Sequence, residues 1–567
     1  MEKKMLQIQI NTGKESMTLK APFGKQLKWI ISDAKIPFSF PCAGLGRCGK
    51  CRVRFIKGVP GANNLDRTFL TETEIQAGVR LLCRCVLTDD AVIDLEYDKG
   101  PDGYNNIEET IAAETMDVYT GEAVYEEGKK AVSKWGLAVD IGTTTIAVSL
   151  VGLAEKDAAK LGTEAATRDP IVIDTISGIN HQRQFGADVI SRIQAASEKE
   201  GAKFLKRIIQ EDIAALCGEI LGENHVKKAE AVVVTGNTTM LHLLRGVDVT
   251  GLGQYPYITG NLSLEKISGN DLFDSLETSR VHKGLLEAEV MVMPGISAFV
   301  GADIVAGIYE LGMLRRDSNT LLLDLGTNGE MAFWNGKRLS VTSTAAGPVF
   351  EGCGISCGIP SVKGAISHVT IEGISTENAL QDEESRRSWE IEYETIGDEK
   401  PVGLCGTGVM ETVSELVRNK IVDETGLLTE DYFEEGFVIA GDDKKIVITQ
   451  GDIRNVQLAK AAIFVGQQEL IKDEAVKEII ISGGFGSHID PEKIKRLRLF
   501  CNEEASVIAA GNTALKGCVR FLSKVMEGGI ELQKAITELV EICDTAEVVS
   551  LAGSNDFGEN YVAGMNF

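Results

Sequence analysis

Two stretches of this chain, 184 residues apart, repeat one pattern: an apolar strand ending in aspartate, a Gly-Thr turn, and a second apolar strand. They read WGLAVDIGTTTIAVSLV from Trp135 and TLLLDLGTNGEMAFW from Thr320, so that Asp324 matches Asp140, Gly326 matches Gly142 and Thr327 matches Thr143. Such an internal match predicts two related lobes, each opening on a hairpin. At a turn of this kind backbone N–H groups approach phosphate oxygens, and the carboxylate at the strand end can hold Mg²⁺ through its water shell. Gly142 and Gly326 keep the approach clear of side chains. Thr143, Thr144, Thr145, Thr327 and Asn328 add hydroxyl or amide hydrogen bonds, and Gly329 with Glu330 completes the second signature.

Aspartic proteases also carry paired Asp-Gly turns, but with Thr or Ser between Asp and Gly and a proton shared by the carboxylates. Here Ile141 and Leu325 stand in that place. A third element favours a nucleotide: EIIISGGFGS, a strand running into Gly483, Gly484 and Gly486, suited to close backbone approach to an adenosine. Together the signatures resemble the actin, sugar kinase and Hsp70 superfamily, which implies a ribonuclease H-like duplicated fold with ATP held between two lobes. AVVVTGNTTMLHLL reads as a buried strand leading into Gly236, Asn237 and Thr238 at a helix start, where N–H groups favour anions. PGISAFVGADIVAGI brings Asp303 onto a Gly-rich turn, either to orient the attacking water or merely to cap a helix. GLCGTGVMETV and AAGNTALKG read as tight strand-to-helix turns at Gly406, Gly408 and Gly511. His242 is expected to be packed, and Val456, Ile463 and Leu470, seven apart, to line a core helix.

The first hundred residues follow other rules. Leu6, Ile8 and Ile10 alternate, Met17 and Leu19 resume the alternation after a turn, and Leu27, Ile30, Ile31 and Ala34 follow helical spacing. PCAGLGRCGKCRVRF then sets Cys42, Cys48 and Cys51 at gaps of five and two residues, and Cys83 lies 31 residues beyond, past a short helix with Thr71 and Glu74 as its capping box. Four thiolates are what a [2Fe–2S] cluster needs, and a loop wrapped around one must turn sharply, which Gly44, Gly46 and Gly49 permit. A zinc site fits less well, because the second cysteine pair lacks a two-residue gap. The five-residue gap is similar to that of vertebrate-type, adrenodoxin-like ferredoxins, so residues 1–98 resemble a β-grasp ferredoxin domain. Cys83 matches the family's fourth position, whereas Cys85, two residues on in an expected strand, should face the other way.

The fold expected is therefore multidomain α/β: a β-grasp [2Fe–2S] domain over 1–98, an acidic linker with one short helix over 99–134, a first lobe over 135–310 and a second over 311–567. Residues 1–98 carry a net charge of +4 and the rest -29 of the total -25. The acidic body repels phosphate backbones, which argues against nucleic acid as a partner. Arg47, Lys50, Arg52, Arg54 and Arg84, around the cysteines, could guide docking to an acidic protein. The start has no apolar run of signal-peptide length and no stretch offers a spanning helix, so a cytoplasmic, membrane-free location is expected. In that reducing compartment the twelve cysteines are thiols or ligands rather than disulfides, and the seven outside the first hundred residues, Cys353 and Cys357 included, read as small apolar side chains.

NHQRQFGADVISRI, GNTTMLHLL, SAFVGADI, DLGTNGE, GPVFEG, DIRNVQLAKAAI and SGGFGS follow in that order after the cysteine loop. Over nearly its whole length the chain resembles the reductive activators of corrinoid-dependent enzymes. The resemblance implies Cys42, Cys48, Cys51 and Cys83 as cluster ligands, Asp140 and Asp324 with their glycine turns as the Mg–ATP site, a corrinoid protein as partner and a low-potential electron donor. Two other readings remain open at this point: a small-molecule kinase with a redox-sensing ferredoxin domain, and a non-enzymatic electron-transfer adaptor. A homodimer is the commonest assembly for such a chain.

Overall fold

The alternation at the start of the chain buries Leu6, Ile8 and Ile10 to 1% exposure or less, which makes one face of strand Met5–Asn11 a core face. A computed structural model describes the chain apart from residues 1–3, 13–15, 35, 37, 39, 41–43, 48, 96–131, 155–169, 187, 199, 375–387, 442–444, 473, 488, 503 and 552–555. The expected linker helix lies outside the described residues. Met5–Asn11 pairs antiparallel with Ser16–Pro22 and parallel with Ala91–Asp94, and Arg52–Lys57 and Val79–Leu81 complete a five-stranded sheet. Helix Leu27–Asp33 closes over it with Leu27, Ile30 and Ile31 buried, each such side chain contributing about 1.5–3 kcal/mol of burial.

By packing, the described residues of Met1–Thr110, Asn180–Ile209 and His242–Ile258 form one unit. Inside it the outer face of helix Leu27–Asp33 meets an aromatic cluster. Trp29 stacks on Phe185 at 5.2 Å between centroids, Phe204 lies 4.8 Å from Trp29, and Phe40 stacks on Phe185 at 5.7 Å. Arg207 donates to Asp33 at 2.6 Å beside this cluster.

The second unit holds two six-stranded sheets built alike. In the first, strand Val132–Ile141 pairs antiparallel with Thr145–Ala154, which pairs with Ile171–Ile179; Ala231–Gly236 lies parallel on the other side, followed by Glu289–Val292. In the second, Thr320–Leu325, Gly329–Trp334 and Leu339–Thr344 repeat that meander, and Glu478–Ser482 and Ser506–Gly511 repeat the parallel pair. Leaving aside the edge strands Glu265–Ser268 and Ala546–Val548, both sheets have the order 3-2-1-4-5. The central strands are covered on both faces, so runs such as Leu321, Leu322 and Leu323 are apolar throughout and fully buried.

Helix Gln450–Ile471 backs the second sheet with Val456, Ile463 and Leu470 in the core, as their spacing predicts. His242 is fully buried. Helix Thr513–Glu527, late in the chain, lies against the first sheet: a Cβ on Gly136 would touch Leu522 and Met526, and the Cys518 thiol donates to the Val233 carbonyl at 3.2 Å. No helix among the described residues is long and apolar enough to cross a membrane.

Candidate functional site

Asp140 and Asp324 stand at the ends of the innermost strands of their sheets, each in register with a polar residue of the parallel neighbour, Thr235 and Ser482. Ser482 Oγ donates to Asp324 Oδ2 at 3.0 Å, and Asn512 Nδ2 donates to Asp140 Oδ2 at 2.7 Å. Gly483 has φ +90°, and a Cβ there would come within 2.9 Å of Asp324 Oδ1, so the glycine turn can press against this carboxylate only without a side chain. Gly484 begins the following turn, Gly484–Ser487, which includes Gly486, and a Cβ on Gly484 would meet open space. In the hairpin turns the amides of Gly142 and Gly326 bond to Thr145 O and Asn328 O at 2.9 and 3.0 Å. Their N–H groups are thus occupied within the turns, not turned toward a phosphate as the sequence pattern predicts.

Glu351 joins the two turns. Its Oε2 accepts from Thr144 Oγ1 at 2.6 Å and its Oε1 accepts from Thr327 Oγ1 at 3.0 Å. Asn237 Nδ2 donates to Thr143 Oγ1 at 3.1 Å, while its Oδ1 caps the next helix through Met240 N at 3.0 Å. Thr145, by contrast, is exposed. Glu351, Asn512 and Ser482 are not singled out by sequence reasoning, and Asn237 is picked out only as part of a helix start that favours anions. The one signal for Glu351 is an acid placed among the glycines and proline of GPVFEG.

Asp303 is the second residue of helix Ala302–Leu311, whose N-cap is Gly301, so it does not cap that helix. It sits instead among like charges. Burial, and then the Asp324 and Asp140 charges, push its carboxyl well above the ordinary range. Burial raises Glu330 likewise, aided by Asp303 and Asp324. Asp140 and Asp324 are pushed up to about 6 by burial, against the lowering effect of Asn512 on one and Ser482 on the other. All four keep a partly exposed face. Among the described residues no three His, Cys, Asp or Glu side chains come close enough to ligate one ion directly. The surplus of negative charge therefore fits a divalent cation held through water.

This predicts a pH signature. A raised carboxyl pKa gives stability that is fully present below the unfolded value near pH 4 and is lost as pH rises through about 6. Without nucleotide the melting temperature should fall between pH 5 and 8, by about 2 °C beyond the fall in an Asp324→Asn control. Added Mg²⁺ should recover more of it at pH 8 than at pH 5, as scanning fluorimetry will show.

The cysteine loop is shaped by left-handed glycines, with φ +68° at Gly44, +74° at Gly46 and +67° at Gly49. Cys51 ends the loop, and its carbonyl accepts from Leu82 N at 2.8 Å, which brings it beside Cys83 in the single turn Leu82–Arg84. Both cysteines are buried, and a Cβ on Gly44 would lie 3.5 Å from the Cys83 Cβ. Arg84 Nη2 clamps Leu45 O at 2.6 Å, and Arg52 Nε clamps Gly49 O at 3.2 Å. A glycine-shaped loop that closes on two buried thiols fits a [2Fe–2S] cluster; Cys42 and Cys48 lie outside the described residues. Cys85 is not in a strand, since the strand ends at Leu81; its thiol turns back to donate to Leu81 O at 3.4 Å, and burial raises its pKa.

The expected docking patch is smaller than its basic residues suggest. Arg52 pairs with Glu74 at 2.7 Å, Arg54 with Asp94 at 3.0 Å and Arg84 with Glu198 at 3.8 Å, while Arg47 and Lys50 are exposed. Of the seven later cysteines, Cys217, Cys405 and Cys518 are buried as expected, whereas Cys353, Cys357, Cys501 and Cys543 are only half-buried.

Family models match three consecutive parts of the chain: a 2Fe-2S iron-sulfur cluster binding domain over 11–88, the RACo middle region over 135–316, and the C-terminal ASKHA domain of RACo over 318–567. The corrinoid activation enzyme RamQ of Eubacterium limosum is 30% identical over 462 residues, covering 75% of this chain and 71% of RamQ. The [Co(II) methylated amine-specific corrinoid protein] reductase of Methanosarcina barkeri is 25% identical over 452 residues, 76% of this chain and 77% of the reductase. A solved reductive activator for corrinoid, iron-sulfur protein aligns with 99% of this chain and 98% of its own at a TM-score of 0.62 and 25% identity.

Proposed function

The chain belongs to the family of corrinoid activation enzymes, and from that premise we propose that it uses ATP to drive one electron onto an inactive Co(II) corrinoid, restoring Co(I) on a separate corrinoid protein. One observation carries this reading: the likeness to a reductive activator runs through both the cysteine loop and the two-turn cleft, over nearly the whole of both chains. Co(I) is a strong reductant, and a cluster near about -400 mV populates it poorly at equilibrium, so the ATPase is needed to shift the balance.

When bound, the cluster supplies one electron per event and the magnesium ion screens the nucleotide phosphates. Cys51 and Cys83, with Cys42 and Cys48, would hold the first; Asp140 and Asp324 would hold the second through water. Asn512 and Ser482 fix these two carboxylates in place, and the turn at Gly483, Gly484 and Gly486 leaves room for the adenosine. Once the charge on Asp140 and Asp324 is balanced, the repulsion that raises Asp303 falls. Its carboxylate can then accept a proton from the attacking water. Closure of the two lobes about the nucleotide is the motion this duplicated fold provides.

In this scheme Glu351 holds the two turns together until the phosphates arrive. Its charge repels them, and their entry releases the Thr144 and Thr327 hydroxyls. Glu351→Gln should therefore tighten ATP binding about tenfold by calorimetry, roughly 1.4 kcal/mol. Weaker binding would mean that Glu351 helps to hold the cation instead.

The decisive experiment mixes anaerobically purified protein with a Co(II) corrinoid protein, a low-potential reductant and Mg–ATP, and follows the cobalt absorbance. Co(I) should appear only with ATP present. If no corrinoid protein responds, and small hydroxyl or carboxylate compounds release ADP instead, the kinase reading takes its place. A cytoplasmic setting, a low-potential electron donor and a two-fold homodimer belong to the same proposal.

A further inference from the structure

Lys28 is a charged side chain with no access to solvent: the residue is 0% exposed. Its amine pairs with Glu198 and lies 4.6 Å from the centre of the Trp29 ring. It also touches the cysteine loop, since a Cβ on Gly44 would stand 3.3 Å from Lys28 Nζ and 3.5 Å from the Cys83 Cβ. Glu198 is shared with Arg84, at 3.8 Å, and Arg84 in turn holds Leu45 O of the same loop at 2.6 Å. Two cations and one anion thus surround the loop's first turn. The anion comes from a segment 115 residues beyond Cys83, held there by the Trp29, Phe185 and Phe204 stack.

The geometry points to Lys28 and Glu198 as positioning residues that set the reduction potential of the cluster in this loop, Lys28 raising it and Glu198 holding it down. The inference rests on reading the loop as a cluster site. Reduction adds one electron, hence one unit of negative charge, to a site whose described thiols, Cys51 and Cys83, are buried. A buried cation nearby stabilises the reduced form and a partly exposed anion held against it destabilises that form, the buried charge being the less screened of the two. Lys28, Arg84 and Glu198 sum to +1; removing Glu198 leaves +2 and removing Lys28 leaves 0. The carboxylate therefore keeps the cluster more reducing, which is the direction that delivery to Co(II) requires.

The test is an anaerobic redox titration of the full-length protein, read by cluster absorbance, for Glu198→Gln, Lys28→Met and the double variant, with Lys28→Arg as a charge-keeping control. At a fixed ambient potential Glu198→Gln should raise the reduced-to-oxidised ratio about tenfold, which is 59 mV for one electron. Lys28→Met should lower it by a similar factor, and the double variant should return close to the parent. A merely structural contact would move both single variants the same way, and that result, or ratios within twofold of the parent, overturns the inference. Should Lys28→Met fail to fold, the half-exposed Glu198 still gives the decisive sign. If the parent itself forms no cluster, the cluster reading and this inference fall together; a cluster indifferent to Glu198 removes only the inference.

Discussion

Cys51→Ser and Cys83→Ser should each abolish corrinoid reduction, by at least about a hundredfold, while Cys85→Ser should leave it nearly intact. Serine oxygen is a poor substitute for thiolate, and a [2Fe–2S] cluster depends on all four of its ligands. Cys51 and Cys83 are joined through the Leu82 amide and are both buried, so the loss of one cannot be made good from solvent. Cys85 differs because its thiol is turned back onto Leu81 O. Two measurements decide the matter. The visible cluster bands should vanish in the first two variants and persist in the third, while basal ATP turnover in the cleft continues in all three. A cluster that survives Cys83→Ser and is lost in Cys85→Ser would exchange the two assignments.

Asp324→Asn should lower ATP turnover by about a hundredfold or more, and corrinoid reduction with it, yet make the nucleotide-free protein more heat-resistant at pH 8. The two effects have one cause. Asparagine can still accept the Ser482 hydrogen bond, so the turn keeps its shape. What disappears is a negative charge in a cleft where burial and neighbouring carboxylates already raise Asp303 and Glu330. That charge is unfavourable to the empty fold and, on the proposed function, is the one that would hold the cation. At pH 5 the gain in melting temperature should shrink, because the parent carboxyl, with its pKa near 6, is then largely protonated. A variant that lost turnover and stability together at pH 8 would show that Asp324 serves the fold rather than the chemistry.

The hairpins were legible because they are local: a strand, a three-residue turn and a strand occupy one window, and they occur twice. The glycine loop of the cysteines was legible for the same reason, as was the core face of helix Gln450–Ile471. Asn512 and Glu351 were not, since they reach Asp140 and Thr144 across 372 and 207 residues, and no periodicity announces a partner so distant. The aromatic seat of helix Leu27–Asp33 was hidden likewise. Trp29, Phe185 and Phe204 each look ordinary in their own stretch, and only packing shows that Asn180–Ile209 belongs with the first hundred residues. At Cys85 only the expected strand fails, because the strand ends at Leu81 and the turn Leu82–Arg84 follows it directly.

Helix Thr513–Glu527 lies against the first sheet, and its cap Asn512 holds Asp140. During synthesis, Asp140 therefore leaves the ribosome some 372 residues before the side chain that orients it. At bacterial or eukaryotic elongation rates this is roughly 20 to 75 s. For that interval the first sheet lacks the helix Thr513–Glu527 that packs on its central strands, while the cysteine loop can already take up iron and sulfur. Cluster loading can thus precede nucleotide binding on every new molecule, and a cell short of iron would accumulate chains able to bind ATP but unable to pass on an electron.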